Sequence, residues 1–131
     1  MRGERMNEKI LIVEDEGDLR KALGIRLKQH NFRVIIGKDG EDGLKKAKEE
    51  LPDLIILDIL LPKMIGFEVC HRLKADPKYK HIPVIMLSIK SSEDAVKKGY
   101  ANGADEYITK PFDWPFILEK IESLLSKKQD K

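Results

Sequence analysis

The sequence has 131 residues, enough for one domain with a buried core and too few for a second full module. Its 25 Lys and Arg residues against 23 Asp and Glu residues give a net charge of +2, which excludes a general electrostatic preference for nucleic acid or a membrane surface. A single cysteine, Cys70, excludes an internal disulfide, and the apolar runs are too short for a membrane span or a signal-peptide core. We therefore expect a cytoplasmic protein without membrane or direct nucleic-acid contacts.

Five short segments are predicted to be β-strands. In chain order they are residues 10–13, 32–36, 54–57, 84–87 and 106–109. The first, third and fourth are continuous apolar runs, too short for helices and without polar alternation. Such runs are typical of strands buried on both faces of a parallel sheet.

The segments between and after these strands carry apolar residues at helical spacing. The predicted buried faces are Leu19, Ala22, Leu23 and Leu27, then Leu44, Ala47 and Leu51, then Phe67, Cys70 and Leu73, and finally Ile117, Ile121, Leu124 and Leu125. Gly103 is placed to end the fourth helix in a left-handed conformation, and Asp113 to cap the start of the fifth. Cys70 lies on an apolar face, which favours a core thiol over a reactive one.

Regular alternation of strand and helix predicts an α/β fold. With right-handed crossovers it gives a doubly wound, flavodoxin-like three-layer αβα sandwich, whose common strand order is 2-1-3-4-5. We assign residues 1–8 to an N-terminal extension, 9–127 to the folded domain and 128–131 to a basic tail. Ligands of such sheets bind beyond the carboxyl ends of the strands, where the strand order reverses.

Polar side chains stand where four of the predicted strands end. Glu14, Asp15 and Glu16 follow the first strand, Asp58 the third, Ser88 the fourth and Lys110 the fifth. Taken singly, each has an ordinary explanation as a helix cap, a dipole-complementing charge or a solvated lysine. Their joint placement at one edge of a parallel sheet predicts a functional site.

The chemistry of this residue set favours phosphoryl transfer. Clustered carboxylates repel one another unless a cation intervenes, and a cluster of oxygen ligands without His or Cys suits Mg²⁺, with Mn²⁺ as a substitute, rather than zinc. Asp58 is then a nucleophile able to form an aspartyl phosphate. Lys110 and the Ser88 hydroxyl would complete the stabilisation of the phosphoryl oxygens.

The sequence resembles the receiver domain of two-component response regulators, in particular the single-domain chemotaxis-regulator-like type. The matching stretches are ILIVEDE at 10–16, DLIILDILLP at 53–62, IPVIMLS at 82–88 and GADEYITKPF at 103–112. They occur in the order and spacing of the family and span the whole predicted domain.

The resemblance implies a specific role for each site residue. Asp58 would become a 4-aspartylphosphate by transfer from a phosphohistidine of a sensor histidine kinase. Glu14, Asp15, Asp58 and the backbone carbonyl of Leu60 would hold Mg²⁺, with Asp15 the closer of the acidic pair. Lys110–Pro111 would be a cis peptide, and Ser88 and Tyr107 would form the switch that reports phosphorylation.

Several positions depart from the family pattern. Ile65 replaces a residue that is often acidic, and the branched Ile89 replaces a usually small one. Leu60 and Lys90 flank the path of a hydrolytic water, and we expect them to lengthen the lifetime of the aspartyl phosphate. Trp114, followed by Pro115, has two interpretations that the sequence leaves equal: an exposed partner surface, or packing over Phe112.

The sequence predicts a signalling switch that catalyses only its own phosphorylation and dephosphorylation. Leu60 stands where an aspartyl-phosphate hydrolase would place a second Asp, and Glu14 to Glu16 would repel the phosphate of a nucleotide. The remaining alternative is a degenerate receiver that binds proteins without being phosphorylated.

The expected kinase would dock beside the first helix, near Gly17, Leu19, Arg20 and Leu23. Output would pass to a downstream protein or to a histidine phosphotransfer partner. We expect a monomer or a weak phosphorylation-dependent dimer. Whether the chain is complete or a piece of a longer regulator is open.

Overall fold

The structure is a computed structural model, and it describes residues 7–129. Its elements are β1 (Lys9–Val13), α1 (Gly17–Gln29), β2 (Arg33–Gly37), α2 (Gly40–Glu50), β3 (Leu54–Leu57), α3 (Gly66–Lys74), β4 (Val84–Ser88), α4 (Glu93–Ala101), β5 (Glu106–Thr109) and α5 (Trp114–Gln129). Most of the predicted N-terminal extension and residues 130–131 of the predicted tail lie outside the described residues. α5 continues through the first half of that tail.

The five strands form one parallel sheet in the order β2-β1-β3-β4-β5, which confirms the predicted fold. Val13 at the end of β1 is in register with Leu57 at the end of β3. Ser88 at the end of β4 is in register with Thr109 on β5. This register brings the carboxyl ends of four strands to one edge, as a parallel arrangement requires.

Helices cover both faces of the sheet, and each face has its own apolar cluster. On one face β1, β3 and β4 pack against α2 and α3; on the other, β1, β3, β4 and β5 pack against α1 and α5. Within β3, for example, Ile55 and Leu57 face the first cluster while Leu54 and Ile56 face the second. The continuous apolar runs are therefore explained by burial on both sides, at about 1.5–3 kcal/mol for each large side chain.

The helix ends follow local chemistry. Asp39 accepts a hydrogen bond from the backbone N–H of Asp42 at the start of α2, and Ser92 accepts one from Ala95 at the start of α4. Gly103 has a φ of 102° just after α4, which confirms the predicted left-handed residue. Among residues 7–129, no helix is both long and apolar enough to cross a membrane.

Three sequence-based details were wrong. Phe32 precedes β2 rather than opening it, because its N–H bonds to the Leu27 carbonyl and closes the turn after α1. Leu51 is not on the buried face of α2 but is exposed and caps the end of the helix in the left-handed conformation, with a φ of 49°. Ala22 lies on the exposed side of α1.

Candidate functional site

Three carboxylates converge at the reversal point of the sheet. Glu14 and Asp15 follow β1, Asp58 follows β3, and one oxygen atom from each lies within 4.8 Å of the other two. Glu14 and Asp58 are buried, with 2% and 6% of their surface exposed, whereas Asp15 is exposed. The structure thus brings together Glu14, Asp15 and Asp58, whereas Glu16, which the sequence also placed after β1, is exposed and outside this cluster.

Lys110 provides the positive charge of the site. Its Nζ donates to Glu14 Oε1 at 2.9 Å and to Asp58 Oδ2 at 3.1 Å. The Lys110–Pro111 peptide is cis, as predicted, and the Lys110 N–H donates to the Ser88 carbonyl. Burial by itself would lower the pKa of Lys110, but the hydrogen bond to Glu14 and the charges of Asp58 and Glu14 outweigh it, so the pKa is raised.

Glu14 is buried in an environment that disfavours the charged form of a carboxylate. Burial raises its pKa, and the hydrogen bonds from Lys110 and from the Glu16 N–H only partly oppose this. The charge of Asp58 adds to the raise. A buried carboxylate of this kind is better satisfied when another cation shares it.

The Asp58 side chain is oriented by the backbone that follows it. Oδ1 accepts hydrogen bonds from the N–H groups of Ile59 at 2.7 Å and Leu60 at 3.3 Å. The loop can fold back this closely because a glycine begins α3: a Cβ on Gly66 would lie 2.1 Å from the Asp58 carbonyl oxygen. Sequence reasoning noted Gly66 but did not identify this role.

The predicted switch residues stand on the neighbouring strands. Ser88 is fully buried at the end of β4, and its Oγ accepts a hydrogen bond from the Lys90 N–H at 3.3 Å. The Tyr107 hydroxyl donates to the Lys90 carbonyl at 2.6 Å, so both residues contact the same segment of backbone. Burial, and to a smaller degree the charge of Asp58, raises the pKa of Tyr107.

Arg20 has a contact that the sequence did not predict. Its guanidinium donates to the Glu14 carbonyl at 2.9 Å, so α1 braces the loop that carries the acidic pair. A helix residue six positions after Glu14 gave no signal for this bond, which depends on how the loop turns into α1.

Three exposed apolar side chains lie in the loops that follow β3 and β4, the strands at whose ends Asp58 and Ser88 stand. Leu60 is 43% exposed in the loop after β3, Ile65 is 44% exposed before α3, and Ile89 is 64% exposed after β4. Lys90 is exposed beside Ile89. These are the positions where the sequence departs from the family pattern or was expected to control access of water.

Trp114 is half-buried at the start of α5 and packs against the cluster that contains α1. Its ring lies 5.6 Å from the His30 ring, and the Arg26 guanidinium stands 5.8 Å from its centroid. Of the two interpretations, packing is favoured: the ring contacts are to Arg26 and His30 at the end of α1, and Phe112 belongs to the same apolar cluster.

The donor set fits a hard divalent cation. Three carboxylates in contact range offer oxygen ligands only, which suits Mg²⁺ or a related ion. Burial raises the pKa of Glu14, and the negative charge of Asp58 adds to this to a smaller degree. The Leu60 carbonyl remains a predicted ligand.

Comparisons with known proteins agree on one family. A family model described as "Response regulator receiver domain" matches residues 10–122. The chain is 40% identical over 124 residues to the alkaline phosphatase synthesis transcriptional regulatory protein PhoP of Bacillus subtilis, covering 95% of this chain and 51% of that protein. It is 39% identical over 125 residues to histidine kinase P4 of Formosa agariphila, covering 95% of this chain and 9% of that protein.

A solved structure shows the same fold. The CheY-like response regulator receiver domain protein from Methanospirillum hungatei superposes with a TM-score of 0.88 at 28% identity, covering 94% of this chain and 97% of that one. By contrast, the chain spans about half the length of PhoP.

Proposed function

This chain belongs to the receiver-domain family of two-component response regulators, and on that premise we propose that it is a phosphorylation switch. Asp58 accepts a phosphoryl group from a phosphohistidine of a sensor histidine kinase in a Mg²⁺-dependent reaction. The protein acts on no metabolic substrate and catalyses only its own phosphorylation and dephosphorylation. We also place this reaction in the cytoplasm.

One observation carries the proposal: the Lys110 ammonium lies between Glu14 and Asp58, at 2.9 and 3.1 Å. A lysine in this position can form an ion pair with the Asp58 carboxylate before transfer and with a phosphoryl oxygen after it. Electrostatic stabilisation of the equatorial oxygens is the main contribution that a protein makes to this chemistry.

In the transfer step, an Asp58 oxygen forms a bond to phosphorus while the phosphorus–nitrogen bond of phosphohistidine breaks. The electron pair of that bond leaves with the imidazole nitrogen. The Ile59 and Leu60 N–H groups hold Oδ1, so the carboxylate presents a fixed face to the donor.

Glu14, Asp15 and Asp58, with the Leu60 carbonyl, would hold Mg²⁺, which supplies charge neutralisation at one phosphoryl oxygen. Lys110 serves a second oxygen. Ser88 stands on the next strand, and its hydroxyl would turn from the Lys90 N–H to a third.

Labelling by acetyl phosphate and Mg²⁺ tests the acceptor. We expect wild type to acquire one hydroxylamine-labile phosphoryl group and Asp58→Asn to acquire none, while Asp94→Asn, on exposed α4, is labelled like wild type. An unlabelled wild-type protein would favour the alternative of an unphosphorylated binding module. Label that persists in Asp58→Asn would place the acceptor elsewhere.

The kinase is proposed to dock beside α1. Because Arg20 also braces the Glu14 carbonyl, docking and positioning must be separated. We expect Arg20→Glu to slow transfer from the cognate kinase more than transfer from acetyl phosphate. Equal slowing of both donors would assign Arg20 to positioning alone and count against docking there.

A further inference from the structure

Tyr107 is held by two α4 residues in addition to its hydroxyl contact. β5 is an edge strand of the sheet, and α4 lies beside it. The Tyr107 backbone N–H donates to the Tyr100 hydroxyl at 3.1 Å, and the Tyr107 ring lies against Gly99. Neither α4 residue contacts Asp58 or Lys110 through a hydrogen bond.

The ring fits only because residue 99 has no side chain. A Cβ at this position would lie 2.6 Å from Tyr107 Cδ2 and 2.9 Å from Cε2, distances that Cβ atoms do not adopt. Gly99 is in the interior of α4, where glycine costs about 1 kcal/mol relative to alanine. Its backbone conformation there is helical, so room for the ring is the feature that alanine would remove.

The Tyr100 contact holds the strand instead of the ring. An N–H on the outer side of an edge strand has no partner in the sheet, and a side-chain hydroxyl can satisfy it. Tyr100 is 45% exposed and yet directs its oxygen to this N–H. The Tyr107 backbone and ring are therefore both tied to one stretch of α4.

We propose that Gly99 and Tyr100 are positioning residues for Tyr107, Gly99 by admitting the ring and Tyr100 by holding the β5 backbone. The inference rests on the proposed function and on the switch role that the family resemblance implies for Tyr107. The second half of α4 is then the part of the molecule on which a change at Tyr107 acts, through the ring at Gly99 and through the β5 backbone at Tyr100.

Fluorine NMR of protein labelled with 3-fluorotyrosine tests the Gly99 contact. The sequence has three tyrosines, so three signals are expected, each assigned by a Tyr→Phe variant. Gly99→Ala should shift the Tyr107 signal and leave that of Tyr79 in place. Gly24→Ala is the matched control, since its Cβ would meet only Val34 Cγ1 at 3.8 Å, an ordinary contact.

A mutant cycle separates positioning from general packing. Gly99→Ala should lower stability in wild type and have little effect in a Tyr107→Leu background, where the ring is gone.

For Tyr100, removing the hydroxyl in Tyr100→Phe should speed hydrogen exchange of the Tyr107 amide about tenfold, and Tyr79→Phe should leave it unchanged. An unmoved Tyr107 signal in Gly99→Ala, or unchanged Tyr107 exchange in Tyr100→Phe, overturns the respective assignment.

The link to phosphorylation is measured with beryllofluoride and Mg²⁺ as the phosphoryl mimic. Gly99→Ala should change the affinity for the mimic several-fold relative to wild type, because Gly99 sets the room available to the Tyr107 ring that the mimic is proposed to shift. Equal affinity, with a shifted Tyr107 signal, would overturn the coupling to the site. If instead wild type fails to label with acetyl phosphate, the proposed function fails while the tyrosine signals still decide the positioning roles.

Discussion

At the scale of single residues, the site combines an acceptor whose position is fixed with a rim that is open to solvent. Asp58 is buried and held on both oxygens, by Lys110 on one and by the following backbone on the other. Leu60 and Lys90 are exposed just outside it. The acceptor and the rim can therefore be changed independently.

The rim should set the lifetime of the aspartyl phosphate. The Leu60 side chain cannot hydrogen-bond to an attacking water, and the Lys90 ammonium cannot act as a general base. We expect Leu60→Asn with Lys90→Glu to speed loss of phosphate about tenfold, or ~1.4 kcal/mol in the barrier. The decay of labelled protein after removal of acetyl phosphate measures this.

Ile25→Asn is the matched control for that variant, because Ile25 is similarly exposed, at 52%, but lies two turns along α1, about 12 Å from its start. It should decay at the wild-type rate. If the double variant decays no faster than Ile25→Asn, the rim does not control access of water.

Lys110 should give stability a distinctive dependence on pH. Its folded-state pKa is raised above the ordinary 10.5, so its stabilising contribution is fully present below 10.5 and is lost as the pH rises through the folded pKa. In metal-free buffer we expect Lys110→Gln to lower the free energy of unfolding by about 3 kcal/mol near pH 8, because two buried carboxylates lose their partner.

The difference between wild type and Lys110→Gln should shrink above pH 10.5, as measured by urea unfolding at several pH values. Lys97→Gln provides the control: its partner Glu93 is exposed, and such pairs contribute little. A pH-independent difference for Lys110→Gln would contradict the assignment.

At the scale of elements, most of what positions the site could be predicted from the sequence, and the reason is local. Strands buried on both faces read as continuous apolar runs, and the polar residues directly after them mark the functional edge. Contacts between distant elements had no such signal. Glu14 and Lys110, 96 positions apart, were each predicted for the site, but not their hydrogen bond. Leu51 was misplaced because helical period continues one residue past the true end of α2.

A contact between α2 and the loop before α3 is one such element-level feature. Gly40 begins α2, its N–H donates to the Pro62 carbonyl, and a Cβ on it would lie 1.8 Å from the Met64 carbonyl oxygen. Because backbone on both sides must move, Gly40→Ala should destabilise the protein by about 2–3 kcal/mol.

Gly17 offers the comparison, since it also begins a helix but its Cβ would meet only Arg20 Nη2, at 3.8 Å. Gly17→Ala should be neutral or stabilising by up to about 1 kcal/mol. Urea unfolding of both variants measures the difference. Equal stability of the two variants would show that the loop before α3 moves to accommodate the added methyl group at little cost in free energy.

At the scale of the whole molecule, the cluster of carboxylates at the carboxyl edge of the sheet lowers the stability of the fold while it provides the functional site. Folding brings Glu14, Asp15 and Asp58 together with Lys110 as the positive partner in the described structure. The sheet topology forces this proximity, and mutual repulsion of the carboxylates is a cost that a bound cation relieves. Binding of Mg²⁺ should therefore be visible as global stability, without any phosphoryl donor.

We expect Mg²⁺ at about ten times its dissociation constant to add about 1.4 kcal/mol to the free energy of unfolding, by mass action on the folded state. Thermal unfolding with and without the ion measures this. Asp15→Asn should lose most of the Mg²⁺-dependent gain, because it removes the exposed ligand while Glu14 and Asp58 keep their bonds to Lys110. Asp94→Asn, an equally conservative change on exposed α4, should keep the full gain. If Asp15→Asn is stabilised by Mg²⁺ as much as Asp94→Asn, the cation binds elsewhere, and the edge would have to be stabilised by Lys110 alone.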